Sequence, residues 1–298
     1  MRSRLLINIF LVVVFALLGA YLFIEQKEIP TPSQRLISSE RDEIAKISIV
    51  KNKTFEMDFT KNSVTWFITK PFRARANPEV IKLILDLSEA TAISELEKFS
   101  ENFGLNSPEY TVKLNQENLS FGGINDVTNE QYIQVGKRVF LTKTHHGYNL
   151  PHDPIKVVDR RLLGAEEKPI IFESSSWLAK HSKDGLWTIT SKLENSISIS
   201  SAKLDIWATG WRTTAATKIN VAHDSNAAEN DSIEITFERG KKIKFTVEQD
   251  DDGYLIRRSD EDIAYRVGND SGLRLIDPQE VATSCGSINL RPESFPTL

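Results

Sequence analysis

This chain says nearly the same thing twice. Residues 64–69 read Val-Thr-Trp-Phe-Ile-Thr, and residues 185–190 read Gly-Leu-Trp-Thr-Ile-Thr. Trp66 and Trp187 therefore stand roughly 120 residues apart. Farther on, Gln131-Tyr132-Ile133 answers to Gly253-Tyr254-Leu255. Gly147-Tyr148-Asn149-Leu150 with Asp153-Pro154 answers to Gly272-Leu273-Arg274-Leu275 with Asp277-Pro278. The offset grows slowly along the chain, as it does when a duplicated unit has gained a few loop residues. A chain of 298 residues built this way is expected to hold two units of one plan, each able to bury its own core.

The pattern inside each unit gives the plan. In the first, over residues 44–165, Ile47, Ile49, Phe55, Met57 and Phe59 alternate with polar residues and predict a hairpin of half-buried strands. A third strand follows around Trp66. Asn77-Pro78-Glu79 then announces a helix: Asn77 caps, Pro78 suits the first turn, and Glu79 complements the positive end. Val80, Ile81, Ile84, Leu85 and Leu87 form its apolar stripe. A strand over 91–96 comes next. Four antiparallel strands over 110–114, 119–122, 131–135 and 138–142 turn at Gly122-Gly123 and Gly136. A short helix over 154–163 closes the unit. The second unit, 166–298, repeats the order: strands over 170–173, 177–181 and 186–189, a helix over 202–213, and strands over 218–221, 233–237, 243–247, 254–258 and 264–267. Residues 222–232 read as a polar loop, and a tail follows the last strand. The expected fold is α+β, two tandem repeats, each an antiparallel sheet with one packed helix.

Ahead of both units, Leu5 to Ile24 is an uncharged stretch of 20 residues, long enough for a hydrocarbon core of roughly 30 Å. Arg2 and Arg4 precede it, so the N-terminus is expected in the cytoplasm and the bulk of the chain outside. The stretch exceeds a signal peptide's apolar region and lacks a small-x-small cleavage site, so it is read as an uncleaved anchor over 1–24. Residues 25–43, with Pro30 and Pro32, read as a polar linker. Cys285 is the sole cysteine, so no internal disulfide forms and the thiol is read as buried. The net charge of −4 argues against nucleic acid as a partner.

Signatures of chemistry are sparse. His145, His146 and His152 lie close together, but two adjacent residues of an extended segment face opposite ways, so they read as exposed loop histidines rather than metal ligands. Asp250-Asp251-Asp252-Gly253 has consecutive acids where a calcium loop alternates them, and reads as a hairpin turn. No phosphate loop, nucleophile elbow or paired-histidine zinc motif occurs. Catalytic, cofactor-binding and metal residues are therefore expected to be none. Trp207 and Trp211, four apart on the second unit's helix, share one face. They either pack in the core or form a protein-contact patch; burial of both rings excludes the second.

Several elements together resemble a known family. Trp66-Phe67-Ile68-Thr69-Lys70-Pro71 is followed by Ala74-Arg75-Ala76-Asn77 and an apolar helix. Phe103-Gly104-Leu105-Asn106-Ser107-Pro108 leads into Tyr110-Thr111-Val112-Lys113-Leu114, and Ser120-Phe121-Gly122 is followed by Tyr132. This pattern over residues 44–165 is similar to the domain of unknown function 4340 family of membrane-anchored bacterial proteins. In the second unit, Lys192-Leu193 replaces the proline after the tryptophan, and only the spacing persists. The resemblance implies association with ABC transport systems and supplies no catalytic residue. The expected function is a non-enzymatic periplasmic accessory or scaffold protein, anchored by its N-terminal helix, with ABC transporter subunits as partner. The alternatives are a ligand-binding module for envelope polymer or lipid at the junction of the repeats, and a hydrolase with an unrecognised site.

Overall fold

Alternating apolar residues build two antiparallel sheets. The computed structural model describes residues 12–19, 34–97, 100–193, 198–221 and 232–280. The first sheet contains β1 (Lys46–Lys51), β2 (Phe55–Asn62), β3 (Thr65–Lys70), β4 (Ala74–Arg75), β5 (Ser94–Leu96), β6 (Tyr110–Leu114), β7 (Glu117–Ile124), β8 (Glu130–Val135) and β9 (Arg138–Lys143). The second contains β10 (Pro169–Glu173), β11 (Trp177–His181), β12 (Trp187–Ser191), β13 (Lys218–Val221), β14 (Ser232–Phe237), β15 (Lys242–Asp250), β16 (Gly253–Arg258) and β17 (Ile263–Val267). Helices α1 (Pro78–Leu85), α2 (Ser201–Thr213) and α3 (Asn269–Ile276) accompany them.

The first sheet runs β4-β3-β2-β1-β6-β7-β8-β9-β5, and the second β12-β11-β10-β14-β15-β16-β17-β13. Apart from β4 the two orders coincide position by position, and each sheet has its helix at the same point in the chain. Trp66 and Trp187 lie on the corresponding strands β3 and β12, and Tyr132 and Tyr254 on β8 and β16. One face of each sheet is buried. Ile47 and Ile49 of β1 meet Met57 and Phe59 of β2 in register, and Ile233 and Ile235 of β14 meet Phe245 and Ile243 of β15. The buried side chains of both sheets join into one continuous core.

The capping chemistry of α1 is as the sequence dictates: Asn77 Oδ1 accepts the Glu79 N–H at 2.9 Å, and Ile81, Ile84 and Leu85 are buried. Other expectations change. The segment read as linker packs down from Gln34. Leu36 and Ile37 are buried, Leu36 N–H donates to Ala90 O at 2.9 Å, and Glu117 accepts the backbone N–H groups of Ser38 and Ser39. Two apolar residues in a polar stretch suffice to fasten it. Gly122-Gly123 is not a turn but an irregularity inside β7, where the register with β8 shifts between Phe121 and Ile124. A side chain on Gly122 would run into the Phe103 carbonyl, so the glycine lets the Phe103–Leu105 turn lie against the strand. Gly104, at φ +69°, closes that turn, and Phe103 stacks on Tyr132 at 4.2 Å. The helix expected over 154–163 is a single 3-10 turn at Pro154–Val157, followed by extended chain.

Residues 12–19 are helical and expose Val12, Phe15, Leu17 and Leu18. They lie inside the predicted anchor, most of which falls outside the described residues, as do most of the 222–232 loop, the tail from 281 and Cys285. Among the described residues no helix is long and apolar enough to cross a membrane.

Candidate functional site

The short strand β4, which has no counterpart among the described residues of the second sheet, is where the two halves meet. It pairs with β3 through Phe67 opposite Arg75 and Ile68 opposite Ala74. Its other edge takes the chain that follows Pro154–Val157: Asp159 N–H donates to Arg75 O at 2.9 Å, and Asn77 N–H to Val157 O at 2.7 Å. That connector then reaches the second half, where Ala216 N–H donates to Arg160 O at 2.8 Å. A second clasp joins the β3–β4 link to the β16–β17 turn: Asp262 N–H donates to Arg73 O at 2.7 Å, and Arg73 N–H to Asp262 Oδ2 at 2.8 Å. Backbone bonds therefore cross the junction on two sides.

Arg75 sits between those clasps with 2 % of its side chain exposed. Its Nε donates to Glu261 Oε1 at 2.6 Å. Its Nη2 donates to Arg161 O at 2.5 Å, Leu162 O at 3.2 Å and the Tyr265 hydroxyl at 3.0 Å. Tyr265 donates in turn to Glu261 Oε2. Nη1 has no hydrogen-bond partner among the described residues; the carboxylate oxygens near it are those of Asp159 at 3.9 Å and Glu167 at 4.0 Å. A second buried arginine, Arg258, grips Glu167 with two bonds of 2.7 Å and Asp260 at 3.0 and 3.2 Å, and donates to Leu162 O at 2.7 Å. Lys241 reaches Asp260 at 2.9 Å. Burying a charge is costly unless partners satisfy it, and the rigid fork of arginine meets carboxylates two bonds at a time, which an ammonium does not.

The electrostatics follow from this saturation. Burial alone would raise the Glu167 carboxyl, but the bonds and charge of Arg258 overrule it and hold it down at about 2. Asp260 is likewise driven well below the usual carboxylate range against its own burial. Burial and the Glu261 charge push the Tyr265 phenol far above its ordinary value, so it stays a protonated donor. The cluster therefore holds fixed charges rather than a proton in transit. Beside it opens a cleft of about 220 Å³ between the β2–β3 turn and the β14–β15 turn, lined by Arg75, Glu166, Lys168, Glu238 and Arg239 among others. Its lining mixes these charged groups with the apolar side chains of Val64, Phe67 and Phe237.

The residues singled out in the sequence fall elsewhere. Trp207 and Trp211 are 1 % and 0 % exposed. Both indole N–H groups donate to Leu275 O, at 2.9 and 3.0 Å, and Trp207 packs on Phe172 and Trp177, Trp211 on Phe172 and Phe245. They are core, and the protein-contact reading does not hold for them: α3, which the sequence pattern did not reveal, supplies the carbonyl both indoles use. His145 and His146 lie on one helical turn with rings 4.0 Å apart, not on opposite faces of an extended segment. Burial, with help from His145, pushes His146 down to about 4. Asp250 of the acidic run takes both arms of Arg266, at 2.6 and 2.7 Å, at the mouth of the β15–β16 turn. Among the described residues no three His, Cys, Asp or Glu side chains converge to hold a metal. Arg75, Arg258 and Glu261 escaped the sequence reading because each resembles an outward strand or turn residue. The one available signal is an arginine flanked by two small apolar residues, Ala74 and Ala76, both buried.

A family model described as a domain of unknown function (DUF4340) matches residues 66–220, just over half of the chain. The match begins at Trp66 in β3 and ends in β13, so it crosses the junction rather than stopping at either sheet. No curated protein and no solved structure matches the chain.

Proposed function

The chain belongs to the domain of unknown function 4340 family, and on that premise we propose that it is a non-enzymatic accessory or scaffold protein held at a bacterial inner membrane. The observation that carries the proposal is the buried Arg75–Glu261 pair between the sheets, with Arg258 and Glu167 of the second half packed beside it, which supports one platform of two sheets. A platform of this kind suits presentation of surfaces to a partner, since preorganised surfaces lose less freedom on binding. On this reading the halves are tandem copies of one α+β unit; their coincident strand orders and the placement of Trp66 and Trp187 support it. Leu5 to Ile24 is the anchor, supported by its length and by the exposed apolar side chains of residues 12–19. The arginines before it leave the platform on the periplasmic side. An anchor raises the effective concentration near a membrane partner without adding contacts, and the partner is an ABC transporter, met through its membrane subunits. Purification of the full chain from native membranes in mild detergent, with bound chains identified by mass spectrometry, tests this. Transporter subunits in near-equal amount support it; a chain that emerges alone contradicts it. A second reading, a ligand-binding module at the junction, draws on the charged cleft and the unpartnered Arg75 Nη1. The ligand is an envelope polymer or lipid that offers a charged or polar group to Arg75.

A further inference from the structure

A second cleft, of about 580 Å³, lies at one end of the first sheet, away from the junction. Its size is that of a small-molecule site. The walls come from the β7 irregularity at Gly122 and Gly123, from Gln131 of β8, from Thr144 and Tyr148 of the helical turn, and from His152 beyond it. Four features point to one kind of occupant. The Tyr148 ring at the mouth is 78 % exposed, and Ile124 in the wall and Val127 in the adjoining loop are exposed too. Gln131 is buried, and its carboxamide Nε2 donates to Gly122 O at 3.1 Å, while its Oε1 has no hydrogen-bond partner among the described residues. Gly147 packs directly against that oxygen, since a side-chain carbon there would lie 2.5 Å from it. Finally, the charges largely cancel: Lys51 Nζ lies 3.7 Å from Glu109 and 4.9 Å over the Tyr110 ring, leaving Asp126 in the wall without an ion partner among the described residues.

An anion entering this cleft meets two carboxylates and a lysine already engaged. A metal ion finds no converging set of three ligands among the described residues. What fits is a neutral molecule with an apolar face for an exposed aromatic ring and a hydroxyl rim for hydroxyl and carboxylate groups. We propose that the cleft binds a neutral saccharide, one pyranose ring lying on Tyr148 with its hydroxyls directed to Thr144 and Asp126. The Asn125–Asn129 loop at its edge is held ready: Asn125 Oδ1 accepts the N–H groups of Val127 at 2.9 Å and Thr128 at 3.3 Å. This inference goes beyond the accessory role and does not depend on it.

The test is saturation-transfer NMR of the full chain with cellotetraose, chitotetraose and maltotetraose, each with inorganic phosphate as competitor. At least one sugar receives saturation, phosphate does not displace it, and Tyr148→Ala weakens binding up to about tenfold, as loss of an aromatic stacking contact does. Leu83→Ala, an equally superficial change on α1, leaves binding intact. Both variants melt with the parent protein, since both side chains are exposed. Absence of transfer to all three sugars, binding indifferent to Tyr148→Ala, or displacement by phosphate overturns the proposal.

Discussion

Replacing Arg75 by methionine is the sharpest perturbation of the junction. Methionine keeps much of the side chain's length and its apolar contacts but removes the charge and every side-chain hydrogen bond. Arg161 O then loses its donor, and Leu162 O keeps only Arg258. Glu261 remains buried with Tyr265, with the backbone N–H of residue 75 at 3.3 Å, and with Arg258 Nε at 3.6 Å, the last distance too long for a hydrogen bond. Leaving a buried charge short of its partner costs about 3–5 kcal/mol. For units of this size that lowers the melting temperature by roughly 10 °C. Urea unfolding is the assay, followed by both tryptophan fluorescence and far-ultraviolet circular dichroism. Four of the five tryptophans, Trp177, Trp187, Trp207 and Trp211, lie in the second half, so fluorescence follows that half while circular dichroism follows both. The two curves coincide in the parent protein and separate in Arg75→Met, because the halves lose the buried charge pair among the contacts that couple them. The double variant Arg75→Met/Glu261→Met closes the cycle: its loss falls short of the summed single losses by about 1–3 kcal/mol, since removing both charges strands neither. A loss under about 1 kcal/mol for Arg75→Met, or strict additivity in the cycle, refutes the reasoning.

Acid titration separates two further groups. Glu167, at about 2 in the folded protein against 4.5 unfolded, contributes stability that is complete above about pH 4.5 and is lost as pH falls toward 2; Glu167→Gln flattens that limb of a stability–pH curve. His146 is held at about 4 against 6.5, so the unfolded chain takes up its proton first, and stability falls between pH 6.5 and 4; His146→Phe removes that slope. Gly122→Ala drives a methyl group into the Phe103 carbonyl and the Leu105 side chain and lowers stability by about 1–3 kcal/mol in chemical denaturation. Trp207→Phe keeps most of the packing but loses the bond to Leu275 O, and costs about 1 kcal/mol or more by the same assay.

What could be read from the sequence is what is decided locally. The α1 start was legible because Asn77, Pro78 and Glu79 act within one turn, and most strands were legible because a buried face imposes a period of two. The α2 boundaries and the β15–β16 turn at Asp251-Asp252 followed for the same reason. The junction was not legible, because its bonds join residues as far apart as Arg75 and Glu261, 186 positions along the chain. Nothing near either residue announces the other. Trp207 and Trp211 show a related limit. Their shared face was visible, but whether it met solvent depended on α3, whose apolar positions are too few to stand out. Gly122-Gly123 misled in a third way: paired glycines signal a turn, yet here they make room for a neighbouring backbone.

The rigidity of the two-sheet platform is open to a direct distance measurement. Spin labels at the exposed positions Leu83 on α1 and Ile206 on α2 place one probe on each half of the full chain, and pulsed electron paramagnetic resonance reads the spread of distances between them. Halves welded through Arg75 and Arg258 give a single narrow distribution that broadens in Arg75→Met. A broad or two-peaked distribution in the parent protein, unchanged by that substitution, contradicts it.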